Sequence, residues 1–459
     1  MWSMINTKKY ISLIIILFGF VLINFGAENL KQKELQNELQ QDEVAQTTTK
    51  SDNSDYGVDE LKKESVKSGI ALSDIKIRVL LMDQVTSQKT NYFCIKASKN
   101  IQIQKGNEKI LHNLFKSEIY IQYSDHKIKI LDKNLHEIEA FKNENFAAVT
   151  LLPESDDILN MNGTKYEGSL TFLINKDGKI QVINILRLDD YIYSVLHFES
   201  LPHWSKDPNM FEMAKIQAII CRTYAVYQLI ESRKRKLAYD IKNNNSHQNY
   251  RGNHNHTHLR NALVATKDII VSYDNKVALT MYDICCGGII PGNMKSPNFK
   301  SAPYLARFTP CTYCCNSKAY SWVCESNEDE FLRLLKLNSN NGDEIGKIGK
   351  LLDVKIVNRD KAGIVLKTEL RGTKKTVVCD GKYVWRSFKS KVRSQDFSIK
   401  RSLTPKGGKI IIKGHGDGHQ MGLCQVGAQE LVKRGWNYQR ILQFYYPGTK
   451  LLQVNSVKF

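Results

Sequence analysis

Glu199 precedes a segment that reads Glu212-Met213-Ala214-Lys215-Ile216-Gln217-Ala218-Ile219-Ile220-Cys221-Arg222-Thr223-Tyr224-Ala225. One carboxyl group at the mouth of such a helix can give up a proton and take one back. A single well-placed Glu is therefore enough for acid–base chemistry at a bond that breaks when its leaving oxygen is protonated. The blander reading of Glu199 is a solvated loop carboxylate. Arg222 carries a guanidinium that can hold a carbonyl or carboxylate, position Glu199, or pair with Glu212 or an Asp. Gln217 falls on another sector of the helix and reads as structural. Tyr224 offers a ring for stacking, or fills core.

A second chemistry-bearing stretch is Gly418-His419-Gln420-Met421-Gly422-Leu423-Cys424-Gln425. With Gly414 and Gly416 just upstream, its glycines open backbone conformations closed to other residues and permit close approach of a ligand. No Lys-Ser or Lys-Thr follows, so it is not a phosphate loop. His419 and Gln425 either face a ligand from this wall or are satisfied internally.

Of ten cysteines, Cys94, Cys221, Cys379 and Cys424 are scattered and read as small buried hydrophobes. Cys285, Cys286, Cys311, Cys314, Cys315 and Cys324 crowd together. Cys311-Thr312-Tyr313-Cys314 has the spacing of a zinc half-site that adjacent Cys285 and Cys286 can complete. In an exported chain disulfides are the leading account, with zinc second and free thiols the remaining alternative. His254, His256 and His258 alternate in a polar loop, where metal binding is the less favoured reading.

The elements that position these residues follow from pattern. Ile75 to Leu81 alternates and opens the folded part as a strand. Segments at Tyr120, Lys127–Leu131, Val149–Leu152, Leu170–Ile174 and Ile180–Ile185 are short and separated by turn residues, which predicts a largely antiparallel sheet. Asp177-Gly178 between the last two marks a hairpin. Asp207 is an N-cap with Pro208 at the first helical position, and Phe211, Ala214, Ala218, Cys221, Ala225 and Leu229 form one apolar stripe of a long helix. Shorter helices are predicted over Gln425–Arg434, stopped by Gly435, and from the Asn437 cap to Phe444.

Taken in order, these stretches resemble the SpoIID/LytB family of peptidoglycan lytic transglycosylases. Leu188-Asp189-Asp190-Tyr191-Ile192 looks like the family's L-E-D-Y-L, and Glu199-Ser200-Leu201-Pro202 like its E-M-P with one extra residue. Ala218 to Ala225 looks like A-x-x-A-R-T-Y-A. Ser246 to Gly252 resembles Q-x-Y-x-G, and Cys285-Cys286-Gly287-Gly288 a C-S-G-G turn. Tyr445-Tyr446-Pro447-Gly448 closes the set. The match runs from about Ile75 to Leu452.

The resemblance implies an α+β fold of mixed strands and helices in two subdomains around a substrate cleft. It implies Glu199 as catalyst, with Arg222, Tyr224, Gln248, Tyr250, His419 and Gln425 on the substrate. The substrate would be glycan strands lacking stem peptides. No cofactor is required, although a structural zinc at Cys285, Cys286, Cys311 and Cys314 stays open. A non-catalytic role as a wall-binding modifier of an amidase is the alternative. The chain departs from the family at Gln420, where Gly is usual, and at Asp283-Ile284, where many relatives carry His-Ser.

The chain has 459 residues, which suggests more than one core. Its net charge is +19, suited to acidic wall polymers or anionic lipid. No zinc-finger, RNA-binding or helix-turn-helix signature supports nucleic acid as partner. Lys8 and Lys9 before the apolar run Ile11–Phe25 have the layout of a secretory signal or an uncleaved membrane anchor over 1–27. Residues 28–67 read as a polar tether, and 68–459 as the catalytic region. Both readings of the N-terminus place that region outside the cytoplasm.

Overall fold

The computed structural model describes residues 63–457, apart from 65–69, 84–90, 106–110, 125, 143–145, 156, 201–203, 205–206, 255–256, 389–390, 406 and 455. The expected signal or anchor, nearly all of the tether, Leu201-Pro202 and His256 lie outside the described residues. Lys63–Glu64 runs parallel to Gln453–Val454 as a short strand. Regular structure therefore reaches into the end of the segment read as tether. No helix among the described residues is long and apolar enough to cross a membrane.

Both helices and sheets build the fold, an α+β arrangement. Ten strands form the main sheet: β1 (Lys76–Met82), β2 (Asn91–Lys105), β3 (Leu111–Ser124), β4 (Lys127–Leu131), β5 (Ala148–Pro153), β6 (Leu159–Met161), β7 (Thr164–Tyr166), β8 (Ser169–Ile174), β9 (Ile180–Arg187) and β10 (Ile241–Lys242). The spatial order is β10-β1-β9-β8-β5-β2-β3-β4, with β6 and β7 as a side hairpin on β2. All pairings are antiparallel except β10 on β1. The β8–β9 hairpin turns through Gly178, with φ +68°, and pairs Ile174 with Ile180, as the Asp-Gly signal predicts. Alternate residues Ile77 and Val79, and Leu170 and Phe172, enter the core.

Helix α1 (Leu188–Glu199) leaves β9 without a loop and buries Tyr191, Ile192, Val195 and Leu196 on the sheet. Its last residue is Glu199. The Asp207 carboxylate accepts the Asn209 N–H, Pro208 enters a short 3-10 turn, and α2 (Phe211–Lys234) follows. One stripe was expected, yet α2 is buried on nearly every side, Met213, Ile216, Ile219, Ile220 and Val226 included. A helix enclosed by neighbours on all sides needs apolar residues all round. Thr223 Oγ accepts the N–H of Val271 at 3.0 Å, pinning the strand Ile269–Tyr273 to α2.

After this strand the chain makes a long excursion. Tyr282–Asp283 pairs in parallel with Leu423–Cys424, so exit and return lie side by side. Between them a second hydrophobic core forms around Trp322, Phe331, Phe388, Ile410 and Ile412. It is covered by two three-stranded antiparallel sheets. Helices α3 (Gln425–Lys433) and α4 (Tyr438–Tyr445) follow the return, each begun by a side-chain cap: Cys424 Sγ for the first and Asn437 Oδ1 for the second. Both lie within a residue of their predicted bounds.

Candidate active site

The C-terminal end of α1 delivers Glu199 to a group of polar side chains drawn from four separate segments. Its Oε1 accepts the Asn249 backbone N–H at 2.5 Å. The Tyr282 hydroxyl also hydrogen-bonds the carboxylate. Burial lifts the Glu199 carboxyl above its ordinary range, and these hydrogen bonds only partly oppose the shift. A raised carboxyl is a proton donor nearer neutrality than an ordinary Glu.

Gln248 belongs to this group. Its Oε1 accepts from the Tyr191 hydroxyl at 3.0 Å, and its Nε2 lies 3.3 Å from the Tyr282 hydroxyl. Gln425, at the first position of α3, donates from Nε2 to the Glu199 backbone carbonyl at 2.9 Å and to Gln217 Oε1 at 3.2 Å. Gln217 is thus part of the scaffold, as its helix sector suggested. Cys221 Sγ lies 3.6 Å from the Tyr282 hydroxyl, and burial pushes its thiol up to about 12, so it is no nucleophile at neutral pH.

Arg222 is placed elsewhere. It is 1 % exposed, and Nη1 donates to the carbonyls of Thr266 and Ile269 at 2.8 and 3.2 Å. Nη2 reaches the carbonyl of Leu263 at 3.5 Å. The guanidinium thereby satisfies carbonyls at and beyond the C-terminal end of the helix Thr257–Ala265, groups that no helical N–H can reach. It forms neither of the ion pairs that sequence suggested and does not bond Glu199.

Tyr250 is also internal. Its ring stacks on Tyr191 at 5.4 Å and its hydroxyl donates to Asn184 Oδ1 at 2.6 Å. Tyr224 is half-buried against the same core, with His247 edge-on to it. A polar hollow lined by Glu167, Asp190, Ser194 and Arg260 opens beside Tyr250 and does not include Glu199.

His419 Nδ1 accepts the N–H of Met421 at 3.1 Å and approaches Asp283 at 3.7 Å. Burial pushes the imidazole down to about 4 and the Asp283 carboxyl well up, so burial disfavours the charged form of both and works against an ion pair. His419 also hydrogen-bonds the Tyr282 backbone, which ties the Gly-rich segment to the residue touching Glu199. Gln420 sits at φ +63°, explaining why Gly is usual there. Its Nε2 donates to the carbonyls of Cys286 and His415 at 3.1 and 3.2 Å. Gly422 is required for space, because a Cβ would stand 1.9 Å from the Met281 carbonyl oxygen.

Tyr282 was not singled out from sequence, although it directly precedes the Asp283-Ile284 departure. The cysteines also regroup. Cys286, Cys311, Cys314 and Cys424 bring their sulfurs within 4.8 Å of one another. Cys424 takes the fourth place that sequence spacing assigned to Cys285, because its strand pairs with the one that leads into Cys286. His254 bonds the Tyr193 carbonyl at 2.8 Å.

Residues 176–273 match the Stage II sporulation protein family, SpoIID, and span β9, α1, α2 and the Gln248 segment. This stretch of the chain is therefore similar to a SpoIID domain. Residues 296–422, which contain the second core, match a domain of unknown function, DUF8618. An uncharacterized protein of Brachyspira hyodysenteriae is 28 % identical over 376 residues, 79 % of this chain and 92 % of that one. The amidase enhancer of Bacillus subtilis is 49 % identical over 43 residues, 9 % of this chain and 6 % of its own length. Glu199, Gln217, Cys221 and Gln248 all fall inside the matched stretch, whereas Tyr282 and Gln425 reach it from outside.

Proposed function

We propose that this chain is an exported peptidoglycan lytic transglycosylase in which Glu199 is the single acid–base group. The observation that carries the reading is the half-buried, raised carboxyl of Glu199 inside the SpoIID-matching stretch, held by the Asn249 N–H and the Tyr282 hydroxyl. Protonated Glu199 donates to the oxygen linking muramic acid C1 to glucosamine, and that bond breaks. The carboxylate then takes the proton of the muramic acid 6-hydroxyl as O6 closes onto C1. A 1,6-anhydro sugar forms, Glu199 regains its proton, and neither water nor a second carboxylate enters, unlike the two-carboxylate glycosidase scheme.

On this reading the enzyme needs no cofactor. It works outside the cytoplasm on strands freed of stem peptides, secreted or anchored through its N-terminus. Digestion of amidase-treated glycan strands, followed by mass analysis, tests it. Fragments ending in 1,6-anhydro-muramic acid are expected. Hydrolysed reducing ends, or intact strands, would overturn it.

The 43-residue likeness to the amidase enhancer supports a second reading, a wall-binding partner that modifies an amidase. That reading predicts intact strands with the chain alone and faster stem-peptide release when the chain is added to a wall amidase.

A further inference from the structure

The excursion begins and ends at the same place, and the four clustered sulfurs stand at that junction. Cys286 follows the outgoing strand and Cys424 ends the returning one. Cys311 and Cys314 come from a loop of the excursion. All four are buried, and Cys286 Sγ lies 3.6 Å from Cys314 Sγ. Sulfurs at the corners of a tetrahedron about zinc, with bonds of about 2.3 Å, stand about 3.8 Å apart. Disulfides need sulfurs close only in pairs, whereas here each sulfur is close to all three others.

We propose that Cys286, Cys311, Cys314 and Cys424 bind one structural zinc ion that clamps the base of the excursion. Each thiol releases its proton as its sulfur bonds the ion, so Zn²⁺ and four thiols give a dianionic tetrathiolate centre and four protons. Four protein ligands close the coordination shell, which fits a structural rather than a catalytic ion.

The surroundings suit such a centre. The N–H groups of Cys286 and Gly427 each donate to Cys424 Sγ at 3.3 Å, and the Tyr445 hydroxyl lies 3.3 Å from Cys311 Sγ. Hydrogen bonds of this kind to ligand sulfurs are typical support for a thiolate ion. Gly427 has to lack a side chain. Its Cβ would stand 2.7 Å from Cys311 Sγ and 2.4 Å from the Tyr445 hydroxyl. Beyond Tyr445 lies Arg307, 2 % exposed, stacked over the Tyr445 and Phe444 rings at 5.5 and 5.1 Å. None of its three guanidinium nitrogens has a hydrogen-bond partner among the described residues. A buried, unpaired cation is costly unless an anion stands near. A dianionic zinc centre on the far side of Tyr445 supplies that charge.

The clamp reaches the SpoIID-matching stretch through one covalent step. Cys424 is followed by Gln425, whose amide holds the Glu199 carbonyl. The ion would thus fix the start of α3 while taking no part in proton transfer.

The test reads the metal and not glycan cleavage, so it stands or falls apart from the enzymatic reading. The full chain, purified without chelator, should carry about one zinc by elemental analysis. Its cobalt-exchanged form should show thiolate-to-metal charge-transfer absorption and tetrahedral visible bands. Zinc should shield four thiols from alkylation until a chelator is added. Cys424→Ser and Cys314→Ser should lower zinc affinity at least about tenfold, and Cys285→Ser and Cys315→Ser should leave it unchanged. Should the ligand variants fail to fold, the wild-type metal content and alkylation pattern decide. A folded, metal-free chain, an intact mass showing these cysteines oxidised in pairs, or zinc lost in Cys285→Ser but kept in Cys424→Ser would overturn the proposal.

Discussion

The side-chain amide of Gln425 donates to the backbone carbonyl of Glu199 across 226 positions of sequence, at 2.9 Å. The same amide group bonds Gln217 Oε1, so one side chain from α3 fixes both the end of α1 and a residue of α2. Gln425→Ala leaves that carbonyl and the Gln217 oxygen without their donor. It should cost about 1–3 kcal/mol of stability, read as a lowered denaturation midpoint. It should lower kcat more than it raises KM, because Glu199 is moved while the sugar's own contacts remain. Unchanged kcat in a folded variant would remove the positioning role.

Glu199→Gln keeps the shape of the side chain and its acceptor for the Asn249 N–H. Cleavage should fall on the order of 10² to 10⁴. Stability should move the other way. The folded state holds the Glu199 proton more tightly than the unfolded chain, so wild-type stability declines as pH rises from the unfolded carboxyl pKa through the raised folded one. The Gln variant lacks this titration, so near neutral pH its melting temperature should equal or exceed the wild type's. A variant markedly less stable at neutral pH than at pH 4, relative to wild type, would show the sign to be wrong. The wild-type rate should also fall as pH rises through the same folded pKa, since the donor is then deprotonated.

Arg222→Met should destabilise the fold by about 2–5 kcal/mol, through loss of the buried guanidinium's hydrogen bonds to these carbonyls and of its packing. Any folded fraction should keep its KM, because the guanidinium faces Leu263, Thr266 and Ile269. A large rise in KM with wild-type stability would restore Arg222 to the substrate.

At position 420, Gly should be more stable than Ala by about 1–2 kcal/mol, the cost of a left-handed conformation for a residue with a Cβ. Both substitutions lose the same two amide hydrogen bonds, so their difference isolates the backbone. Equal midpoints for Gln420→Gly and Gln420→Ala would show that the left-handed turn relaxes when the amide is removed.

Local pattern was enough for much of the scaffold. The Asp177-Gly178 hairpin, the alternation in β1 and β8, the Asp207-Pro208 start of α2 and the Asn437 cap each depend on residues within a few positions of one another. The ordered motifs also pointed to Glu199, Gln248 and Gln425 before their side chains could be related. Tertiary structure decided what surrounds them. A helix pattern cannot tell that Arg222 meets the carbonyls of a later helix, nor that Tyr250 is enclosed between rings. Nor could spacing along the chain choose Cys424 over Cys285. That choice depends on a parallel pairing of Asp283 with Cys424, made only when the excursion closes and brings its two ends together.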